Sequence, residues 1–485
     1  MISDDEILNF IRAKQNEIFE LSKSNLTIND KKLNHRSEYY KVKKHIDQFL
    51  IKDYYNRFIT MPGLRGVGKT TILFQLYEYL ILNGIDNSNI LYLDVHELTN
   101  FFDLSIYDVI NIYLQNIHET NLANLDKKIF IFIDEAHFDE KWADTGKLIY
   151  DKSKNVFMIF TGSSALDLEI NADVIRRIKK EQIYPCNFQE YLHLKYNIKY
   201  DVEFSNYLQN LILRGDKESF DMVCNKEKNI NKTLIESEAL SNDINIELKK
   251  FLKSYGFAYA FNMGEVEIHK NTVDIINRVV EKDIPSLKVF NTSTNVLISR
   301  VITYLAMQKP GGTSNRKLAQ YLDCSQKTIN EILNVLEKTQ LIFSLKPYGT
   351  GDKFIRKPWE YFFISPSIKA SINYELGRYD LNSDKCFATL AETLLVSSLF
   401  KMKNERFNHI GLFYDSENKG VDVLIKDIDR IIPIEMGIGK KTKSQLKIAI
   451  NNYGSDYGIL VSNRTSQVKY IDDIIYIPLN IFSYL

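Results

Sequence analysis

Two short motifs in the first third of the chain have the residue types needed to bind a nucleoside triphosphate. The first matches the spacing G-x-x-x-x-G-K-[ST] and comprises Gly63, Leu64, Arg65, Gly66, Val67, Gly68, Lys69, Thr70 and Thr71. Its glycines let backbone N–H groups close around phosphates, and the helix that follows adds the positive end of its dipole. We expect Lys69 to contact the β- and γ-phosphates of ATP and the Thr70 hydroxyl to bind Mg²⁺. The alternative, a chance glycine turn, is disfavoured by the apolar strand before the motif and the helix after it.

The second motif is an acid pair at the end of the apolar run IFIFID. Asp134 would hold Mg²⁺, directly or through water, and Glu135 would orient and polarise the attacking water. The alternative is a solvated acid pair at a strand end. Beside the glycine motif, the pair favours hydrolysis over simple nucleotide binding.

Polar residues after the next strand could complete this site. Thr161 or Ser163 could contact the γ-phosphate or the attacking water, although Ser164 could instead cap the following helix. Further on, Arg176 or Arg177 could act as an arginine finger on a neighbouring copy. The alternatives for these arginines are a solvated basic helix face or a nucleic-acid contact, and the choice between them stays open.

Composition restricts the class of protein. The 485 residues carry 62 Lys+Arg and 62 Asp+Glu, a balance that neither predicts nor excludes a nucleic-acid partner. The four cysteines are far apart, which is typical of neither a zinc site nor a disulfide framework and favours the reducing cytoplasm. No apolar run approaches the roughly 18 residues of a membrane span, so we expect no membrane contact.

The spacing of apolar runs indicates an α/β fold with a mainly parallel sheet. Strands are predicted at 58–61, 89–95, 128–134 and 155–162, with helices between them. On these elements the segments GLRGVGKTT, IFIDEAH, FTGSSALDLEINADVIRR and IYPCNFQEYL occur in an order that resembles the archaeal-type AAA+ ATPase family. The resemblance implies a prokaryotic cytoplasmic P-loop ATPase, followed by a winged helix and a small α/β domain related to PD-(D/E)xK nucleases.

Five regions follow from the patterns and the resemblance together. They are an N-terminal helical segment (1–56), an AAA+ core (57–200), a helical connector or lid (201–290), a winged helix (291–375) and a nuclease-like domain (380–485).

The predicted winged helix rests on a helix-turn-helix pattern that begins at residue 314, after a turn at 310–312. Its predicted core comprises Leu318, Ala319, Leu322, Ile329, Ile332 and Leu333. Ser325 could cap the second helix. The residues expected to face outward and meet DNA are Gln326, Lys327, Thr328 and Asn330. The alternative is a module used only for packing or protein contact.

The C-terminal region carries acids ordered as the family resemblance implies for a nuclease site. Glu392, Asp422 and Glu435 could hold Mg²⁺ for phosphodiester cleavage. The pattern requires a lysine two positions after the second strand acid, but Gly437 stands there, and only Lys440 or Lys441 could reach in from the next turn. We therefore favour a degenerate domain that serves binding or assembly, and the lysines from 440 to 447 could still bind a polyanion.

These features lead to three hypotheses. The first is an oligomeric, Mg²⁺-dependent ATPase that works with DNA in genome maintenance, mobile-element biology or defence. The second is a nucleotide-gated switch that responds to a protein partner, and the third is an ATP-dependent DNA nuclease.

Overall fold

A computed structural model describes the whole chain except residues 1–2, 29, 53, 103, 164–171, 238–242, 289, 291, 309–313, 350–356, 379, 381–382, 418–419 and 439–442. The chain forms two compact units, residues 1–184 and residues 185–485. The five-part division predicted from the sequence is finer and stays a prediction. The predicted turn at 310–312 lies outside the described residues.

The first unit is a parallel sheet covered by helices. Its strands are β1 Phe58–Pro62, β2 Ile90–Asp94, β3 Ile129–Asp134, β4 Val156–Gly162 and β5 Lys179–Lys180. Its longer helices are α1 Asp4–Leu26, α2 Ser37–Ile51, α3 Lys69–Leu82, α4 Ile106–Ile117 and α5 Trp142–Lys152. Shorter pieces are the ribbon Thr27–Ile28 with Lys31–Lys32 and the turns Asn87–Asn89, Val95–Glu97, Leu98–Phe102, Ala136–Phe138 and Ala172–Ile175.

The strand order is β2-β3-β4-β1-β5, and every pairing is parallel. Every residue of β1, β3 and β4 is buried, because helices cover both faces of the sheet. This confirms the predicted fold class. Helix α1 contributes Ile7 and Ile11 to the same hydrophobic core as Ile131, so it is part of this unit.

The register of the strands decides where a ligand would bind. Asp94 is paired with Asp134, and Pro62 is paired with Gly162, so the carboxyl ends of four strands lie at one edge of the sheet. In open α/β sheets, ligands bind outside these carboxyl ends.

The second unit begins with helices and ends with a mixed sheet. Its longer helices are α6 Phe188–Tyr196, α7 Val202–Arg214, α8 Lys217–Glu236, α9 Ile244–Ser254, α10 Glu265–Arg278, α11 Thr292–Met307, α12 Asn315–Tyr321, α13 Gln326–Lys338, α14 Pro366–Glu375, α15 Asp384–Arg406 and α16 Ser444–Tyr453. Short helical pieces are Ala258–Asn262, Val279–Asp283, Ile284–Leu287 and Leu479–Phe482. Its strands are β6 Ile342–Pro347, β7 Glu360–Phe363, β8 Gly411–Tyr414, β9 Val423–Asp427, β10 Arg430–Gly437, β11 Gly458–Ser462, β12 Lys469–Ile471 and β13 Ile474–Pro478.

These eight strands form one sheet in the order β12-β13-β11-β10-β9-β8-β6-β7. Strands β6 and β7 are antiparallel, and β6 continues into the C-terminal strands through a parallel pairing of Lys346 with Phe413. The hairpin after α13 therefore shares its sheet with the region predicted to be nuclease-like. Among the described helices, none is long and apolar enough to cross a membrane.

Helices α12 and α13 precede this hairpin in the predicted order. The predicted core residues Leu318, Ala319, Ile329, Ile332 and Leu333 are buried, and Leu322 is half-buried. Ser325 caps α13 and accepts a hydrogen bond from the Thr328 N–H at 3.0 Å. Gln326, Lys327 and Asn330 are exposed, whereas Thr328 is half-buried, and its hydroxyl lies 2.8 Å from that of Ser325.

Candidate functional site

The glycine motif forms a tight loop between β1 and α3 that only glycine accommodates. Gly66 and Gly68 have φ angles of 81° and 95°, in the left-handed region that side chains disfavour. A Cβ at Gly63 would lie 2.5 Å from the carbonyl oxygen of Ile183. Leu64 and Val67 are buried and anchor the loop from inside. The loop therefore exposes backbone instead of side chains, as phosphate binding requires.

A buried arginine supports the loop from behind. The Arg36 guanidinium donates hydrogen bonds to the carbonyl oxygens of Val67 at 2.5 Å and Tyr184 at 2.9 Å. Sequence reasoning missed Arg36, because nothing in its local context distinguishes it from a surface arginine.

Lys69 is the first residue of α3, and its side chain bends back into the loop. Its ammonium group donates to the carbonyl oxygens of Gly63 at 2.9 Å and Leu64 at 3.1 Å. Only 6% of the residue is exposed. The cation is thus held inside the loop, and Thr70 and Thr71 follow it in the first helical turn.

The Asp134 carboxylate joins the two motifs. It accepts a hydrogen bond from the Thr70 hydroxyl at 2.7 Å, a short one from the Thr161 hydroxyl, and a longer one from Tyr92 at 3.4 Å. Burial, and then the nearby charge of Glu135, raise the pKa of Asp134. Thr70 and Asp134 thus supply adjacent hard oxygen donors, which suit Mg²⁺.

Glu135 lies next to this cluster in a conformation that is rare for a side-chain-bearing residue. Its φ and ψ are 53° and 41°. Its N–H donates to the Thr161 hydroxyl at 3.2 Å. Its Oε2 lies 3.5 Å from a guanidinium nitrogen of Arg65 and 3.6 Å from His137 Nε2, yet accepts no hydrogen bond from the described residues.

The two sensor candidates, Thr161 and Ser163, which are expected to contact the γ-phosphate or the attacking water, have different surroundings. The Thr161 hydroxyl is committed to the acid pair, whereas the Ser163 hydroxyl is buried and has no hydrogen-bond partner among the described residues. Both residues lie near the acid pair because β4 is next to β3 in the sheet. The predicted cap, Ser164, lies outside the described residues.

Arg176 and Arg177 lie at the other edge of the sheet. Lys179 of β5 pairs with Ile59 near the start of β1, and the Tyr55 hydroxyl donates to the Arg176 carbonyl at 2.8 Å. The glycine motif follows the carboxyl end of β1, whereas the two arginines lie near its amino end. Neither arginine therefore reaches the candidate site of its own chain.

Comparison with known proteins decides the family. An AAA domain model matches residues 55–192, and an uncharacterized protein of Methanocaldococcus jannaschii is 30% identical over 467 residues, 93% of each chain. The chain belongs to the archaeal-type AAA+ ATPase family. A second uncharacterized relative of this AAA+ protein, from Haemophilus influenzae, is 23% identical over 78% of this chain and 81% of its own. A domain of unknown function (DUF8612) matches residues 257–370.

Solved structures similar to the AAA+ protein include the ADP form of the Aeropyrum pernix ORC2 protein. That structure is 10% identical over 73% of this chain and 98% of its own, with a TM-score of 0.35. The Thermotoga maritima RuvB Holliday junction branch migration motor is 14% identical over 64% of this chain and 89% of its own, with a TM-score of 0.28.

The nuclease-like acids of the AAA+ protein do not all have the same neighbours. Asp422 and Glu435 are adjacent: the Asp422 N–H donates to a Glu435 carboxylate oxygen at 3.3 Å. Glu392 instead lies near the buried Lys369, and its charge opposes the lowering of the Lys369 pKa to about 8 by burial. Lys440 and Lys441 lie outside the described residues. Among the described residues, no group of three His, Cys, Asp or Glu is placed to hold a metal.

Sequence reasoning also missed Asp94, Tyr92 and His137 around the phosphate site. Asp94 ends β2 opposite Asp134, and burial followed by the Asp134 charge raises its pKa. The strand LYLDV ends in an acid just as IFIFID does, so aligning the two strand ends would have found it. Tyr92 and His137 resemble ordinary core residues until the strands are assembled.

His137 gives the AAA+ protein a specific pH dependence. Burial, with the positive charges of Arg65 and Lys69, lowers the pKa of His137 from 6.5 to about 3. The folded state therefore holds His137 neutral, so this contribution to stability is present above pH 6.5 and is lost as pH falls towards 3. We expect His137→Gln to lose less stability than wild type between pH 7 and pH 5, by up to about 2 kcal/mol.

Thermal unfolding of both proteins at the two pH values measures this difference. Asn124→Gln, at an exposed residue of the same unit that does not titrate, provides the control and should behave like wild type. Equal shifts in Tm for His137→Gln and wild type would contradict the argument.

Proposed function

We propose that this protein binds Mg²⁺–ATP in the loop of residues 63–71 and hydrolyses it. The contact between the two motifs supports this proposal most directly. The Thr70 hydroxyl lies 2.7 Å from the Asp134 carboxylate, beside the buried Lys69 ammonium. A hydroxyl, a carboxylate and a lysine converge on a loop of backbone amides, the donor set that a metal-bound triphosphate needs.

Thr70 and Asp134 would hold Mg²⁺, which supplies charge neutralisation at the phosphates when it is bound. Lys69 would bind the phosphate oxygens and exchange its contacts with the Gly63 and Leu64 carbonyls for them. Because Asp134 is buried with a raised pKa, a cation beside it also relieves an unfavourable buried charge.

Glu135 would orient the attacking water and accept its proton. Its Oε2 is buried and accepts no hydrogen bond from the described residues, so a water molecule could satisfy it. Ser163 is in the same situation, and we assign the sensor role to it. Thr161 would instead position the acid pair, since its hydroxyl already contacts both residues of that pair.

Phosphate release from ATP by the purified protein, with Mg²⁺ and with a chelator in its place, tests this function. We expect turnover only with Mg²⁺. The proposal fails if ATP does not bind in the presence of Mg²⁺, or if it binds and is never hydrolysed at any protein concentration.

Hydrolysis would require a second copy of the chain, whose Arg176 completes the site. Arg176 is 75% exposed and pairs only at the surface with Asp173, at 3.0 Å. Arg177 is 25% exposed, and its Nε donates to Asp151 at 2.6 Å. Because Arg176 would give up fewer contacts than Arg177 on binding the phosphates of a neighbour, we propose Arg176 as the finger.

We expect Arg176→Ala to lower the ATPase rate at least about tenfold, and Arg177→Ala to lower it less, because arginine fingers act on transition-state charge. Mixing the impaired Arg176→Ala protein with inactive Lys69→Ala protein should restore part of the activity. The Lys69→Ala copy would supply Arg176 to the intact loop of the other. A wild-type rate for Arg176→Ala, or no recovery of activity on mixing, would exclude Arg176 as the finger.

We further propose that the ATPase acts with DNA, bound at α12 and α13 in the manner predicted for a winged helix. Gln326, Lys327 and Asn330 are exposed on α13. The Asn315 side chain donates to Asn330 at 2.7 Å, so the exposed Arg316 and Lys317 flank the same surface. Arg316, Lys317 and Lys327 thus form a small basic surface that could bind DNA phosphates, and the polar side chains beside them could contact base edges.

An ATPase assay with no DNA, single-stranded DNA and double-stranded DNA tests this part. We expect DNA to raise the rate. We also expect the triple change Arg316→Ala, Lys317→Ala and Lys327→Ala to weaken DNA binding and flatten its salt dependence. A matched triple of exposed lysines elsewhere (Lys228→Ala, Lys270→Ala and Lys282→Ala) should keep DNA affinity. A slow rate that is indifferent to DNA would favour the protein-responsive switch instead.

A further inference from the structure

The phosphate loop and the acid pair are connected by a second contact that needs no metal. Arg65 lies in the loop between two glycines, and its guanidinium is 3.5 Å from the Glu135 carboxylate. The two side chains are 18% and 20% exposed, so the ion pair is partly shielded from water. A residue of this loop thus contacts the residue proposed to orient the attacking water.

The other neighbour of this carboxylate carries no charge at neutral pH. His137 Nε2 lies 3.6 Å from the same Glu135 oxygen, but burial and the charges of Arg65 and Lys69 keep the imidazole neutral. Of these two neighbours, only Arg65 therefore attracts the Glu135 carboxylate through its charge.

The backbone of Glu135 is fixed, but its carboxylate depends on the ion pair with Arg65 for its position. The residue has a left-handed conformation, and its N–H is bound to the Thr161 hydroxyl. The backbone is thereby fixed, whereas the carboxylate itself is held by ion pairing at 3.5 Å and not by a hydrogen bond from a described residue. Loss of the Arg65 charge would leave the carboxylate free to adopt other rotamers.

We propose that Arg65 is a positioning residue that places the Glu135 carboxylate and ties its position to the occupancy of the phosphate loop. Arginine's planar fork can contact carboxylate and phosphate oxygens alike. A triphosphate bound in the loop would offer Arg65 a second anionic partner, so Arg65 would couple the position of the Glu135 carboxylate to the bound nucleotide. This inference rests on the proposed ATPase function. It adds that Arg65 couples nucleotide binding in the loop to the position of the Glu135 carboxylate.

A double-mutant cycle tests the coupling. Arg65→Met is measured in wild type and in Glu135→Gln, with kcat followed as phosphate release over hours and Mg²⁺–ATP affinity measured by equilibrium binding. We expect Arg65→Met to lower kcat about tenfold in wild type, with affinity changed less than about threefold, and to have no further effect in Glu135→Gln. Arg65→Lys, which keeps the charge, should retain more activity than Arg65→Met.

The exposed Arg12 provides the control, since Arg12→Met should leave kcat and affinity unchanged. The proposal is overturned if Arg65→Met lowers kcat by the same factor in both backgrounds. It is also overturned if only the affinity for Mg²⁺–ATP falls, because Arg65 would then be a phosphate ligand. Should Arg65→Met not fold, the same cycle with Arg65→Gln, which also removes the charge, decides. Absence of hydrolysis by wild type would instead reject the ATPase function, so the two failures are distinguishable.

Discussion

Lys69→Ala is expected to abolish measurable binding of Mg²⁺–ATP, with an affinity loss of about 10³-fold or more. The Lys69 ammonium is buried within the loop and donates to two of its carbonyls, so its removal leaves those oxygens facing the incoming phosphates. An attraction is thereby replaced with a repulsion inside a poorly solvated site, where charge interactions are strong. Titration with a fluorescent ATP analogue in the presence of Mg²⁺ measures the effect.

The same substitution at Lys127, an exposed lysine of the same unit, provides the control and should leave ATP affinity unchanged. Because the carbonyls of Gly63 and Leu64 lose their donor, the Lys69→Ala loop should also be less stable in the absence of nucleotide. Tight Mg²⁺-dependent ATP binding by Lys69→Ala would mean that the loop does not hold the triphosphate.

Glu135→Gln is expected to lower kcat about 10³-fold while ATP still binds, because the amide cannot accept the proton of the attacking water. Lys69, Thr70 and Asp134, the groups proposed to hold the nucleotide and its metal, are unchanged in this variant. The Thr161 hydroxyl bonds the backbone N–H of residue 135, so the local fold should also persist. Single-turnover phosphate release and equilibrium ATP binding, measured on the same preparation, separate the two effects.

Glu140, which is exposed on the same loop region, gives the matched control, since Glu140→Gln should keep the wild-type rate. A wild-type rate for Glu135→Gln would transfer the role of the base to another group. Asp94 would be the first alternative, because it ends the strand next to Asp134.

Much of the first unit was predictable because its signals are local. The run IFIFID is apolar throughout, as befits a strand covered on both faces, and it forms β3 with every residue buried. The glycine motif lies between strand and helix as its chemistry requires. The fold class and the family are confirmed, while the roles of the site residues stay predictions.

Other elements could not be read from their own residues. Strand β5 consists of Lys179–Lys180, two charged residues that form a strand only because β1 offers an unpaired edge. Likewise, most residues of β6 are buried, but its parallel pairing with Gly411–Tyr414 depends on a partner more than sixty residues away. Propensity is local, whereas pairing is decided by packing.

The sequence by itself determined that a loop of backbone amides, a lysine and a strand-end acid pair occur in the right order on an α/β sheet. These features depend on glycine's freedom, on helix and strand periodicity, and on charge, all of which act over a few residues. Only the tertiary structure decided that Arg36 supports the loop, that Arg65 reaches Glu135, and that Arg176 lies at the opposite edge of the sheet from its own site. Those contacts join residues distant in the chain, and strand register and side-chain packing, which no local pattern encodes, bring them together.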